Sequence, residues 1–252
     1  MEVHTHSHPP PEIHRGRKKW THYFWEFFML FLAVTLGFFV ENQREHLIEH
    51  KREKQYIKSM IADLRTDTTN LSAGNRWFNQ IIKASDTLLK NYIVFTKGYS
   101  QMTYRNYSYI LSGYPDFVYT DRTMQQLKNA GGLRLIRNLT ASDSIVYYDA
   151  NIRDLFIEES SVTFYYDRIH DQANKVFNFR KFDSLLLHKK NDDLERERTD
   201  FWLTNNVAEL EQLYNQIREY RNTIFSYAKY RVRLQQKAGR LIDLLKREYH
   251  LE

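Results

Sequence analysis

The most apolar stretch of the chain lies near its N-terminus, from Trp20 to Val40. Its 21 residues include only two ionisable side chains, His22 and Glu26, and its apolar residues occupy every side of a helix instead of one stripe. At about 1.5 Å per residue, such a helix crosses the ~30 Å hydrocarbon layer of a bilayer. We therefore predict a transmembrane helix over residues 20–40. No small-residue cleavage site follows it, which favours an uncleaved anchor over a signal peptide.

Beyond this segment, apolar residues recur at the alternating three- and four-residue spacing of long packed helices. This pattern predicts long helices over about residues 41–97, 140–178 and 204–250, with an aromatic tip and short helices over about residues 99–139. The last helix has the most regular stripe, and Arg231 is its only charged member. The stripe consists of Leu210, Leu213, Ile217, Tyr220, Ile224, Tyr227, Arg231, Leu234, Ala238, Leu241 and Leu245.

These elements predict an all-α fold: one N-terminal transmembrane helix that continues into an elongated antiparallel helical bundle with coiled-coil-like packing. Scarce helix breakers agree with this fold, since the 252 residues include only 8 Gly and 4 Pro. Residues 1–19 are rich in proline, histidine and basic residues, and we predict a disordered tail there. The chain has no Cys, which excludes disulfides and a thiol nucleophile.

The basic residues on either side of the apolar stretch predict its orientation. Arg17, Lys18 and Lys19 lie within three residues of Trp20, whereas only Arg44 lies within ten residues of Val40. Positive charge close to a membrane helix marks its cytoplasmic side. We predict a bacterial inner-membrane protein with a cytoplasmic tail and with residues 41–252 as a periplasmic domain.

Two stretches of the chain resemble a known family. The first is the run FWEFFMLFLAVTLGFF at residues 24–39, between the basic Arg17–Lys19 and the polar ENQREH at residues 41–46; the second is QLKNAGGLRLIRN at residues 126–138. Both are similar to an uncharacterised family of single-pass membrane proteins from Bacteroidota, which often begin with a His-rich tail. The resemblance implies an inner-membrane protein with a helical periplasmic domain, and it implies no activity.

Two histidine patterns suggest metal chemistry. His46, Glu49 and His50 match the H-x-x-E-H signature of inverted zinc proteases, which also needs a third ligand and a cleft. Because the pattern lies in a highly charged helix, we favour a solvated helix face and expect neither enzyme activity nor a cofactor. His4, His6 and His8 could hold a divalent metal ion, although a flexible tail favours adventitious binding.

One face of the predicted membrane helix suggests self-association. Glu26, Leu30, Ala33 and Gly37 share this face, and Ala33 with Gly37 forms a small-xxx-small pair that allows two helices to approach closely. Glu26 is an intramembrane carboxyl candidate for proton transfer, but its place one turn from the basic end favours an interfacial position. The sequence thus predicts the lipid bilayer and a second copy of the chain as partners.

The aromatic tip offers a possible surface for a protein partner or ligand. Tyrosines are interleaved here with polar residues, a composition found in binding surfaces. The favoured alternative is that these rings pack over the helix ends. The formal net charge of +6 does not indicate nucleic-acid binding, because basic and acidic residues alternate along the helices. The candidate surface comprises Tyr104, Arg105, Tyr107, Tyr109 and Tyr114.

Three functions follow as hypotheses from these patterns. The first is a self-associating, membrane-anchored helical scaffold or interaction protein. The alternative is a periplasmic ligand-sensing module that signals through a separate partner. A zinc-dependent hydrolase rests on the His46–His50 pattern alone.

Overall fold

The computed structural model describes residues 20–91, 101–129, 131–180 and 203–251. Within these ranges the chain forms five α-helices and a short 3₁₀ helix, Gly132–Leu135, and no β-strand, so the predicted all-α class is confirmed. The helices are α1 (Trp20–Lys90), α2 (Gln101–Leu111), α3 (Arg122–Asn129), α4 (Leu139–Val176) and α5 (Val207–Glu248).

The chain divides into two units, residues 1–51 and residues 52–252. In the first unit the described residues all belong to α1, and almost every one of them is exposed. This part of α1 contains the one span among the described residues that is long and apolar enough to cross a membrane. The apolar side chains of residues 20–40 are exposed on all sides of the helix, as the sequence pattern predicts.

The second unit has a hydrophobic core to which α1, α4 and α5 all contribute. All eleven stripe positions of α5 are buried, including the charged Arg231. The buried face of α1 is wider than its apolar stripe, because it also includes the carboxylates of Glu53, Asp63 and Asp67. The periodicity of apolar residues thus locates every buried position of α5 except Ala228, and it locates the buried face of α1 only in part.

Hydrogen bonds between α1 and the C-terminal part of the chain give the relative direction of these helices. Tyr249 bonds to Glu53, Asn75 bonds to Gln235, and Arg221 bonds to Asp86. Residue numbers therefore fall along α5 as they rise along α1.

The segment between α2 and α3 does not stay at one end of the unit. Trp77 Nε1 donates to the carbonyl of Gly113 at 2.6 Å, and Asn70 Nδ2 donates to the carbonyl of Val118 at 3.4 Å. The backbone N–H of Thr120 then donates to Asp67. This return segment, residues 112–121, therefore lies alongside α1, whereas the sequence predicts these residues at a tip.

Candidate functional site

The predicted association face of the apolar helix is exposed in the structure. Leu30 is 67% exposed, Ala33 is exposed, and a Cβ added to Gly37 would meet no atom within 4 Å. His22 Nε2 lies 3.0 Å from Glu26 Oε1, one helical turn away. A local partner for this carboxylate fits the interfacial interpretation of Glu26. Among the described residues of this unit, 20–51, none covers the small-residue pair.

The structure separates the residues of the predicted aromatic surface. Tyr107 is fully buried, and its ring centroid lies 4.5 Å from that of Phe177. Tyr109 is half-buried against the core, whereas Arg105 is exposed. Because its ring is in the core, Tyr107 cannot offer a binding surface. The side chain of Tyr104 lies outside the described residues.

Tyr114 packs against two helices of the core. Its hydroxyl lies 2.7 Å from Thr163 Oγ1 on α4, and its ring packs against Phe78 and Tyr166 at centroid distances of 5.6 Å and 5.8 Å. Burial raises the pKa of the Tyr114 phenol. The ring thus connects the return segment to both α1 and α4.

Among the residues that the structure describes, the histidine patterns do not form a metal-binding site. His4, His6 and His8 lie outside the described residues. His46, Glu49 and His50 lie on α1 within the unit formed by residues 1–51. Among the residues that the structure describes, no three His, Cys, Asp or Glu side chains are grouped so that they could hold a metal ion.

The apolar pattern does not reveal a set of buried carboxylates on α1. Asp63 Oδ2 accepts from the backbone N–H of Thr123 at 2.9 Å, and its Oδ1 lies 2.7 Å from Arg122 Nη2. Asp63 thereby caps the first turn of α3 from another helix. The sequence signal for this role is a carboxylate at the edge of the apolar stripe, four residues before a second one.

The second carboxylate, Asp67, is 1% exposed and binds the return segment. Its Oδ1 accepts from the backbone N–H of Thr120 at 2.8 Å, and its Oδ2 accepts from the hydroxyl of Tyr148 at 3.0 Å. Burial raises the pKa of Asp67, although both hydrogen bonds oppose this shift. The desolvation of the carboxylate is thus only partly compensated.

Asp149 on α4 is a further buried carboxylate, with two cationic partners. Its Oδ2 lies 2.8 Å from Lys128 Nζ and 3.0 Å from Arg153 Nη1, and its Oδ1 accepts from the hydroxyl of Tyr119. Burial, reinforced by Asp149, raises the pKa of Tyr119 well above its ordinary value. These contacts attach α3 and the return segment to α4.

Arg231 is a buried cation that three aromatic rings surround. Its Cζ lies 5.2 Å from the ring centroid of Phe78 and 5.6 Å from those of Phe117 and Tyr227. Its two terminal nitrogens donate weakly to Tyr227 Oη and to the carbonyl of Asn70, whereas its Nε has no partner. In the described part of the chain no carboxylate pairs with it; Tyr227 instead donates to Glu159.

Gly74 provides the space for this guanidinium. A Cβ at this position would lie 2.9 Å from Arg231 Cζ and would overlap Nη2. The hydrogen bonds of Asp63, Asp67, Asp149 and Arg231 thus connect separate elements of the fold.

No protein-family model, curated protein or solved structure matches this chain. The resemblance to the Bacteroidota family therefore stays a prediction.

Proposed function

We propose that this protein is a membrane-anchored helical interaction protein that associates with a second copy of itself through the face Glu26, Leu30, Ala33 and Gly37. The observation that carries the proposal is the exposure of apolar side chains all around residues 20–40. Lipid is the solvent that such a surface needs. On this surface the Ala33–Gly37 pair is the place where a second helix can approach most closely.

We further infer that residues 52–252 form an antiparallel bundle with coiled-coil-like packing. The opposite directions of α1 and α5 and the regular buried stripe of α5 support this inference. The bundle then serves as the interaction module on the periplasmic side, and residues 1–19 face the cytoplasm. The basic Arg17, Lys18 and Lys19 support this orientation.

Energy transfer between copies of the full chain in liposomes tests self-association. Because the chain has no Cys, a single Ser72→Cys substitution at an exposed position allows specific labelling with donor and acceptor dyes. We expect Ala33→Leu with Gly37→Leu to weaken association at least about tenfold, equivalent to about 1.4 kcal/mol. The larger side chains would hold the two helices apart.

The matched control is Thr35→Leu with Phe39→Leu, which places leucines at the same spacing on the opposite side of the helix. This control should leave energy transfer unchanged. Equal transfer in the Ala33/Gly37 variant and the unmodified chain would refute self-association through this face.

A further inference from the structure

A groove of about 500 Å³ lies between α1 and the C-terminal end of α5. The charged side chains that line it are all basic, and they are accompanied by one histidine. The lining cations are Lys54, Lys58 and Arg65 on α1 and Lys246 on α5, and His250 is the second residue after α5. The groove is open to solvent, so a ligand can reach these side chains.

The cations of this groove lack a counter-charge among the residues that the structure describes. In the described ranges, Lys54, Lys58, Arg65 and Lys246 have neither an ion pair nor a side-chain hydrogen bond, and no carboxylate lines the groove. Lys54 and Lys58 are four residues apart on one helix, a spacing at which like charges repel. The chain thus gathers positive charge here at a cost to its own stability.

A role in stabilising the end of α5 does not account for all of this charge. A helix C-terminus carries the equivalent of about half a negative charge, which Lys246 alone would offset. Three further cations on α1 exceed that requirement. Because no carboxylate among the described residues lines the groove, an anion from outside the protein could balance these cations.

His250 adds an imidazole to the lining of the groove. It has a φ of +50°, and the backbone N–H of Leu251 donates to the carbonyl of Lys246 at 2.9 Å. This is the left-handed helix ending that glycine adopts most readily. The backbone would favour glycine here, yet the chain places an imidazole at the groove.

We propose that this groove binds a phosphate-bearing anion, with Arg65 and the lysines around the phosphate and with Ile61 and Leu251 against its organic part. Arginine matches two phosphate oxygens at once, and lysine supplies compact positive charge. The phosphate could belong to an anionic lipid headgroup or to a soluble phosphate compound. Both sources present the same chemistry to the groove.

Calorimetric titration of the full chain in an uncharged detergent, with inorganic pyrophosphate as the probe, tests the site. We expect Lys54→Gln, Lys58→Gln and Arg65→Gln together to weaken binding at least tenfold. The matched control replaces Arg76, Lys83 and Lys90 by Gln, which removes the same net charge from exposed positions of α1 outside the groove. The control should bind as the unmodified chain does.

His250→Gly separates binding from folding. Glycine suits the positive φ, so the melting temperature should stay constant or rise, whereas pyrophosphate binding should weaken severalfold. No pyrophosphate binding by the unmodified chain, or an equal loss in the control variant, would overturn the proposal. Unchanged binding in His250→Gly would overturn the role of the imidazole.

Nanodiscs distinguish the two sources of phosphate. The unmodified chain and the groove variant are compared in phosphatidylcholine alone and in equimolar phosphatidylcholine and phosphatidylglycerol. If the headgroup is the ligand, phosphatidylglycerol should raise the melting temperature of the unmodified chain only and should compete with pyrophosphate. If the ligand is soluble, the difference in melting temperature between the unmodified chain and the groove variant should be the same in the two lipid mixtures.

Discussion

Arg231 is the largest of the fully buried side chains that the structure describes. A guanidinium without a carboxylate partner is costly to bury, and among the described residues only ring faces and weak hydrogen bonds compensate for this cost. Its environment depends on one missing Cβ, that of Gly74 on another helix. The two residues therefore form a size-matched pair across the core.

A double-mutant cycle tests this pair. Gly74→Ala alone should lower the free energy of unfolding by about 1–3 kcal/mol, because the new methyl group displaces the guanidinium. In an Arg231→Met background the same change should be neutral or stabilising, since alanine favours a helix over glycine by about 1 kcal/mol. Chemical denaturation of the four chains measures the coupling.

Gly239 on α5 provides the control for helix propensity, because a Cβ there would meet nothing within 4 Å. Gly239→Ala should be stabilising in both backgrounds. If Gly74→Ala lowers the free energy of unfolding equally with arginine and with methionine at position 231, the two residues are not a size-matched pair.

At the scale of elements, Asp67 holds the return segment against α1 and makes this attachment sensitive to pH. Its pKa is raised in the folded chain, so the folded chain keeps the proton at higher pH than the unfolded chain does. The stability that this group contributes is therefore greatest below its ordinary pKa of 3.8 and is lost as the pH rises through the raised value.

We expect Asp67→Asn to gain stability relative to the unmodified chain as the pH rises through this window. The amide can accept from the N–H of Thr120 and donate to Tyr148, and it does not ionise. Asp67→Ala should instead cost about 1–3 kcal/mol for each partner left unsatisfied. Denaturation midpoints at acid and neutral pH measure both effects. If the midpoints of Asp67→Asn and of the unmodified chain differ by the same amount at both pH values, the pH dependence is refuted.

The sequence predicts elements better than it predicts their connections. Apolar spacing alone locates all of the α5 stripe, because each position is defined by its neighbours on the same helix. It misses Asp63 and Asp67, since their partners lie 53 to 81 residues away along the chain. Composition also does not show which aromatic rings are buried, so the sequence alone does not reveal that the Tyr107 ring lies in the core.

At the scale of the whole molecule, the membrane orientation is the property that a short sequence change should reverse. C-terminal fusions to alkaline phosphatase, which is active only in the periplasm, and to a fluorescent protein that folds only in the cytoplasm report the location of residues 41–252. We expect phosphatase activity without fluorescence.

Replacing Arg17, Lys18 and Lys19 by Gln, together with Asn42→Lys and Gln43→Lys, moves the positive charge to the other end of the apolar helix. The two reporters should then exchange their signals, at least in part. A phosphatase-silent, fluorescent fusion of the unmodified chain would show that the proposed orientation is wrong.

Glu53 accepts hydrogen bonds from the backbone N–H of Arg137, 84 residues away, and from the hydroxyl of Tyr249, 196 residues away. One carboxylate thus connects the beginning, the middle and the end of the unit formed by residues 52–252. A chain trimmed by a protease before Tyr249 would leave this buried carboxylate without that hydroxyl. Loss of the residues that follow α5 would therefore weaken the unit at the point where it begins.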